Sequence, residues 1–166
     1  MRRIALLAVL ALALPVAVDA QARLMVGGGL STPNGDFSGA VDAGLHGRVG
    51  LQVGVPVFPV NIRAEGEVHR FPEVTGGAKT NMIAGTVSAV MSLGGIGLSP
   101  YVLAGFGRYR VDPSATAAET NKGFHGGFGV SLGALGLGGY AEIRVVNVSG
   151  ATGDTRYIPV TVGLRF

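Results

Sequence analysis

The chain has 166 residues, of which 29 are glycine, 14% are charged and none is cysteine or tryptophan. That length suits one domain rather than two, and the lack of cysteine excludes a disulfide framework, thiolate chemistry and cysteine-ligated metal. An average protein is about 25% charged, so a surface facing mostly water is excluded as well. The pI of about 9.7 suggests a polyanionic partner, but the basic residues are scattered, with no run and no aromatic platform beside them, so nucleic acid is not expected.

Residues 1–22 read as a secretory signal peptide, cleaved near Ala22. Met1-Arg2-Arg3 is the positive start, Ile4 to Val18 the apolar run, and Ala20-Gln21-Ala22 the small-x-small cleavage pattern. Removing Arg2, Arg3 and Asp19 with it, from 13 basic and 10 acidic side chains, leaves a net charge of +2. No later stretch approaches the ~20 apolar residues of a membrane helix. The remaining spanning solution is a closed β-barrel, in which every backbone polar group finds a partner within the protein.

From Arg23 onward, alternating segments of roughly ten residues are separated by Gly, Pro, Asn, Asp and Ser clusters. The first (Arg23–Thr32) alternates weakly. In the second, Leu45, Val49, Leu51, Val53 and Val55 oppose His46, Arg48 and Gln52. The third sets Ile62, Ala64, Gly66 and Val68 against Arg63, Glu65, Glu67 and His69; the fourth sets Ile83, Val87, Ala89, Met91 and Leu93 against Thr86, Ser88 and Ser92. The fifth (Pro100–Val111) is less clean, and its apolar Tyr101, Leu103 and Tyr109 are expected outward, with Arg108 and Arg110 inward. The sixth opposes Phe124, Phe128, Val130 and Leu132 to His125 and Ser131, the seventh Ala141, Ile143 and Val145 to Tyr140, Glu142 and Arg144. The last sets Ile158, Val160, Val162, Leu164 and Phe166 against Tyr157, Pro159, Thr161, Gly163 and Arg165. Eight strands suit a single-chain, all-β, antiparallel up-and-down transmembrane barrel over residues 23–166.

A soluble lipocalin-like barrel also alternates, with the faces exchanged. Three features favour the membrane form. Lys79 and Lys122 are expected in loops, and the polar face is Gly, Ser and Thr with Arg and Glu in near balance. Long connections (Pro33–Ala43, Glu73–Thr80, Pro113–Lys122, Ser149–Arg156) also alternate with short ones (Val57–Val60, Gly94–Ser99, Leu135–Gly138), as when long loops lie outside and short turns face the periplasm. The inward charges Arg48, Arg63, Glu65, Glu67, Arg108, Arg110, Glu142, Arg144 and Arg165 are then expected to form a structural lumenal network, because buried ions must pair.

Ser99-Pro-Tyr-Val-Leu-Ala-Gly-Phe-Gly, Gly127-Phe-Gly-Val-Ser-Leu-Gly, Tyr140-Ala-Glu-Ile-Arg and the final Tyr157-Ile-Pro-Val-Thr-Val-Gly-Leu-Arg-Phe resemble the small outer-membrane β-barrel family. That family includes the OmpA transmembrane domain, OmpX-like proteins and opacity-type adhesins. The resemblance implies that Tyr157, Val162, Leu164 and Phe166 form the signal read by the barrel-assembly machinery. Unlike OmpA, the chain carries no peptidoglycan-binding domain after the barrel, so cell-wall anchoring is not implied.

Little in the sequence points to chemistry. His46, His69 and His125 all fall on expected inward faces, but no pair is spaced for a metal, and no metal or cofactor is expected. Lipid A deacylases of similar size place a Ser two residues after a lipid-facing His; Gly127 stands there after His125, and no nucleophile–base pair is evident. Gly27-Gly-Gly29 precedes a strand-like segment, so a phosphate-cradling loop is not implied. A non-enzymatic structural or surface-interaction role through the loops is expected, ahead of a narrow channel and then of lipid A modification. Its expected partners are outer-membrane lipid and lipopolysaccharide, the assembly machinery during insertion, and a surface ligand of the loops.

Overall fold

The computed structural model describes residues 22–166 apart from 55–57, 76–78, 95–96, 116, 135–136 and 151–152. The signal-peptide segment thus lies outside the described residues, as does Val55. Eight strands form a closed antiparallel barrel in chain order: β1 (Arg23–Asn34), β2 (Gly44–Gly54), β3 (Val60–Phe71), β4 (Thr80–Ser92), β5 (Leu98–Pro113), β6 (Glu119–Ala134), β7 (Leu137–Ser149) and β8 (Asp154–Arg165). Closure joins β8 to β1, with Val26 opposite Leu164 and Leu30 opposite Val160. At the seam the Phe166 backbone donates to Leu24 O (2.9 Å) and accepts from Leu24 N (3.1 Å). The last residue therefore completes the ring, leaving no open edge for lipid to contact.

The fold is inside out relative to a soluble barrel. Its large exposed side chains are apolar, including Leu45, Val49, Ile62, Ile83, Phe128, Val145 and Val162, whereas Arg48, Arg63, Glu65, Glu67, Glu142 and Arg144 are buried. Lumen and lipid faces alternate along each strand. The glycines explain how so narrow an interior holds large polar side chains. Gly129 lies opposite Tyr101 and Gly163 opposite Tyr140, and a Cβ at either position would run into the facing tyrosine ring. Each tyrosine thus lies across a neighbouring glycine, filling the lumen without splaying the strands.

Two expectations need correction. On β5, Tyr101, Leu103 and Tyr109 are buried inside while Arg108 and Arg110 are exposed outside, the reverse of the expected arrangement. The inward row is made possible by Gly105 and Gly107, and the outward row carries Val102, Ala104 and Phe106 through the apolar band before reaching the arginines. The β5–β6 hairpin is also longer than its sequence suggests. Both strands run 16 residues, so Lys122 stands on β6, exposed and opposite Arg108, rather than in a loop. Alternation continues past the apolar outer rows there because the backbone ladder is maintained out to Val111 and Glu119.

Between β1 and β2 the chain forms a short 3-10 helix, Gly35–Gly39, begun by the Asn34 side chain accepting from Gly35 N at 2.7 Å. Val41 bridges to Glu73, and Asp42 N donates to Pro72 O at 2.9 Å. This segment folds back over one end of the barrel. That end holds the longer connections, and both ends of the strand set, Arg23 and Arg165, lie at the other.

Candidate functional site

The lumen is the first place to seek a site, and it is packed in two layers. The lower layer is ionic. Glu142 on β7 receives three guanidinium groups: Arg144 Nε at 2.5 Å, Arg63 Nη1 at 2.6 Å and Arg48 Nη2 at 2.7 Å. The Tyr101 hydroxyl also donates to Glu142 Oε2 at 2.8 Å. Arg144 in turn reaches Glu67 Oε1 at 2.8 Å and Glu65 Oε2 on β3. Arg63 donates to Gln52 Oε1 at 3.0 Å. Arg48 lies over the Tyr140 ring (5.4 Å) and Arg63 over the Tyr101 ring (5.3 Å), adding cation–π attraction to the ion pairs.

Three arginines thus balance three glutamates. Because β3 and β7 are four strands apart in a ring of eight, the pairs cross the lumen. Of the nine charges expected in this network, the structure brings together Arg48, Arg63, Glu65, Glu67, Glu142 and Arg144. Arg108 and Arg110 lie on the outer surface. Arg165 belongs to the inward row but stands half-exposed at the mouth away from the 3-10 helix, and among the described residues it joins no ion pair. Gln52, Tyr101 and Tyr140 are members that charge patterning alone did not select.

The upper layer is aromatic and apolar. His69 Nε2 lies 3.2 Å from Glu67 Oε2 and links the layers. Ser31 Oγ bridges His46 Nδ1 (3.0 Å) and His69 Nδ1 (2.9 Å), and His46 Nε2 meets Thr161 Oγ1 at 2.8 Å. Across the lumen His125 bonds Ser88 Oγ at 2.8 Å and the Tyr109 hydroxyl at 3.3 Å. Above these, Phe71, Tyr157, Tyr109, Met82, Val41, Val111, Val146 and Val148 pack together, with Phe37 of the 3-10 helix edge-on to Phe71 at 5.1 Å. Tyr157 lies within this plug, while Val162, Leu164 and Phe166 face outward.

Three serine–histidine contacts, two at Ser31 and one at Ser88, were not legible from the sequence, since the partners lie 15 to 38 residues apart. Neither serine is more than 1% exposed, so neither hydroxyl meets a substrate. His125 faces the lumen and not lipid, the opposite of what the deacylase arrangement requires. Among the described residues no group of His, Cys, Asp or Glu is placed to hold a metal ion.

A family model described as the outer membrane protein beta-barrel domain matches residues 4–166. The chain belongs to that family. Solved structures agree on the fold of this outer-membrane barrel. Neisserial surface protein A superposes with a TM-score of 0.75 at 12% identity, over 89% of this chain and 98% of that one. The N-terminal barrel of Pseudomonas aeruginosa OprF gives 0.54 at 14% identity, over 89% and 100%. Yersinia pestis Ail gives 0.52 at 12% identity, over 88% and 100%. No curated protein matches the sequence. The outward arginines of β5, Arg108 and Arg110, stand on the outer surface of this barrel, beyond Val102, Ala104 and Phe106.

Proposed function

We propose that this barrel is a non-enzymatic anchor of the outer membrane, reaching it by way of a leader, residues 1–22, that is removed near Ala22. Its folded extracellular cap is the surface offered to partners. The observation that carries this reading is the filled lumen: a balanced ionic layer crossing from β3 to β7 beneath an aromatic plug. An interior of eight strands is only just wide enough for side chains, and here side chains occupy it. Among the described residues, Ser31 and Ser88, the serines bonded to histidines, are buried inside the barrel, which favours an anchor over an enzyme. Lipid, lipopolysaccharide and the assembly machinery during insertion are the partners this placement supports, with a surface ligand of the cap as a further one.

Planar-bilayer recording separates an anchor from a channel. The expected result is a conductance that stays at the baseline of protein-free bilayers; reproducible unitary steps would establish the narrow channel instead.

Phe166 supplies both hydrogen bonds to Leu24 and an outward apolar side chain just past β8. Deleting it is expected to reduce the folded fraction in the outer membrane, read as the loss of the mobility difference between boiled and unboiled samples on a denaturing gel. Normal insertion of the truncated chain would dismiss Phe166 as part of the assembly signal.

A further inference from the structure

Arg108 and Lys122 stand directly opposite each other on the outer face of β5 and β6, and both are exposed. Like charges in that position repel and destabilise a strand pair. Neither forms an ion pair with another described residue, and Arg110, two positions on and opposite Thr120, adds a third exposed cation to the same face. Asp112 is the one acid that follows on the outer row of β5, and it pairs across with Asn81 on β4, away from Lys122. The cluster therefore carries a net positive charge that the described protein does not neutralise.

Its height is set by what lies beneath. One step toward the membrane, Phe106 and Phe124 form the next outward pair, 69% and 60% exposed. Below them Val102 faces Phe128 and Pro100 faces Val130, continuing an apolar surface to the short-turn end. The cations thus begin where the apolar band ends, on the extracellular side, and two lipid-facing aromatic rings support them. Arginine and lysine at bilayer mid-depth would cost several kcal/mol, but near the interface the cost is small. Beside Arg108 the row continues through Gly85 and Gly66, where a Cβ would meet no other atom. A bulky headgroup can therefore approach the backbone there.

We propose that Arg108, Lys122 and Arg110 form a binding site for the phosphate groups of a phosphorylated glycolipid of the outer leaflet, of the lipid A class, with its acyl chains lying along Phe106, Phe124 and Phe128. The site rests on the outer-membrane reading. A phosphate between Arg108 and Lys122 converts the repulsive pair into two charge-assisted contacts, and arginine matches phosphate oxygens with a forked set of donors. The aromatic rings below provide the apolar half of the same ligand, which a free anion could not use.

The test uses the full barrel folded in detergent micelles, with its folding checked by the boiled-versus-unboiled gel shift. Three probes are titrated: bisphosphorylated lipid A, the same lipid dephosphorylated, and inorganic phosphate. Binding is read as lipid retained on the protein by native mass spectrometry. Wild-type protein is expected to retain the bisphosphorylated lipid in preference to the other two. Each basic residue near an anionic surface contributes about 1 kcal/mol, so the Arg108→Gln/Lys122→Gln double variant is expected to bind roughly 30-fold more weakly. The single Lys122→Gln variant is expected to lose about fivefold and serves if the double variant does not fold. Equal binding by the variants, equal retention of the dephosphorylated lipid, or displacement of lipid A by inorganic phosphate alone would each overturn the site. Absence of the gel shift in the wild type would instead overturn the membrane-barrel reading beneath it.

Discussion

Replacing Glu142 by alanine is expected to destabilise the barrel by about 3–5 kcal/mol, the usual cost of leaving a buried charge without its partner. The expectation is at the upper end because Glu142 accepts hydrogen bonds from Arg63, Arg144 and the Tyr101 hydroxyl and also forms an ion pair with Arg48. Its removal leaves three guanidinium groups against two carboxylates in a space sealed from water. The measurement is the urea midpoint of unfolding in micelles, followed by the mobility shift. Tyr101→Phe removes one contact and no charge, so it is expected to cost only about 1.5–3 kcal/mol, as for a hydrogen bond to a charged group. An Arg63→Met/Glu142→Gln pair removes one charge of each sign and is expected to recover part of the loss, as interacting positions do in a double-mutant cycle. A midpoint unchanged by Glu142→Ala would mean that the ionic layer does not hold the walls together.

That layer was legible in the sequence only in part, and the reason is geometric. Alternation places a residue on a face but does not say how high it stands or what crosses to meet it. Arg63, Glu65, Glu67, Glu142 and Arg144 were assigned inward because polar residues faced apolar ones in step on their strands. Their pairing links positions 77 to 79 residues apart, a distance over which strand periodicity carries no information. The fifth strand shows the opposite limit. Assigning bulky apolar side chains to lipid put Tyr101, Leu103 and Tyr109 on the wrong face, because tyrosines here fill the lumen against glycines. The corrective signal was Gly105 and Gly107 in the tyrosine row, with Val102, Ala104 and Phe106 in the other. Small residues in the crowded row and an unbroken apolar row beside it mark inside and outside better than hydrophobicity does.

The same inversion explains why the outer cations were missed. Arg108 and Arg110 alternate with Tyr101, Leu103 and Tyr109 along β5, so expecting those three outward carried the arginines into the lumen. Strands β5 and β6 run past the apolar band, so polarity on their outer rows changes with height. Lys122 was expected at the end of the polar connection Pro113–Lys122, and β6 reaches back into that stretch as far as Glu119. Both errors concern one place on the surface, the end of the β5–β6 pair beyond its apolar outer rows.

Phe71→Ala is expected to cost about 3–5 kcal/mol, the range for emptying a buried phenylalanine site, and yet to leave the bilayer closed. Phe71 is fully buried and lies at the centre of the plug, edge-on to Phe37 and Tyr157 at 5.1 and 5.7 Å and stacked over His69 at 6.1 Å. Its side chain also forms the contact by which the 3-10 helix caps the mouth, so its loss is expected to loosen the cap along with the plug. Phe37→Ala, at a half-buried position, removes that contact from the other side and is expected to cost less than half as much. Neither change touches Glu142 or Arg144, whose contacts with Arg63 and Glu65 still cross the lumen below. Stability and closure should therefore separate: the urea midpoint falls while bilayer conductance stays at baseline. If Phe71→Ala conducts, the aromatic plug is the seal and the ionic layer beneath it admits ions. If it does not, the crossing ion pairs close the barrel by themselves, and the plug serves to hold the cap in the shape it offers to the outside.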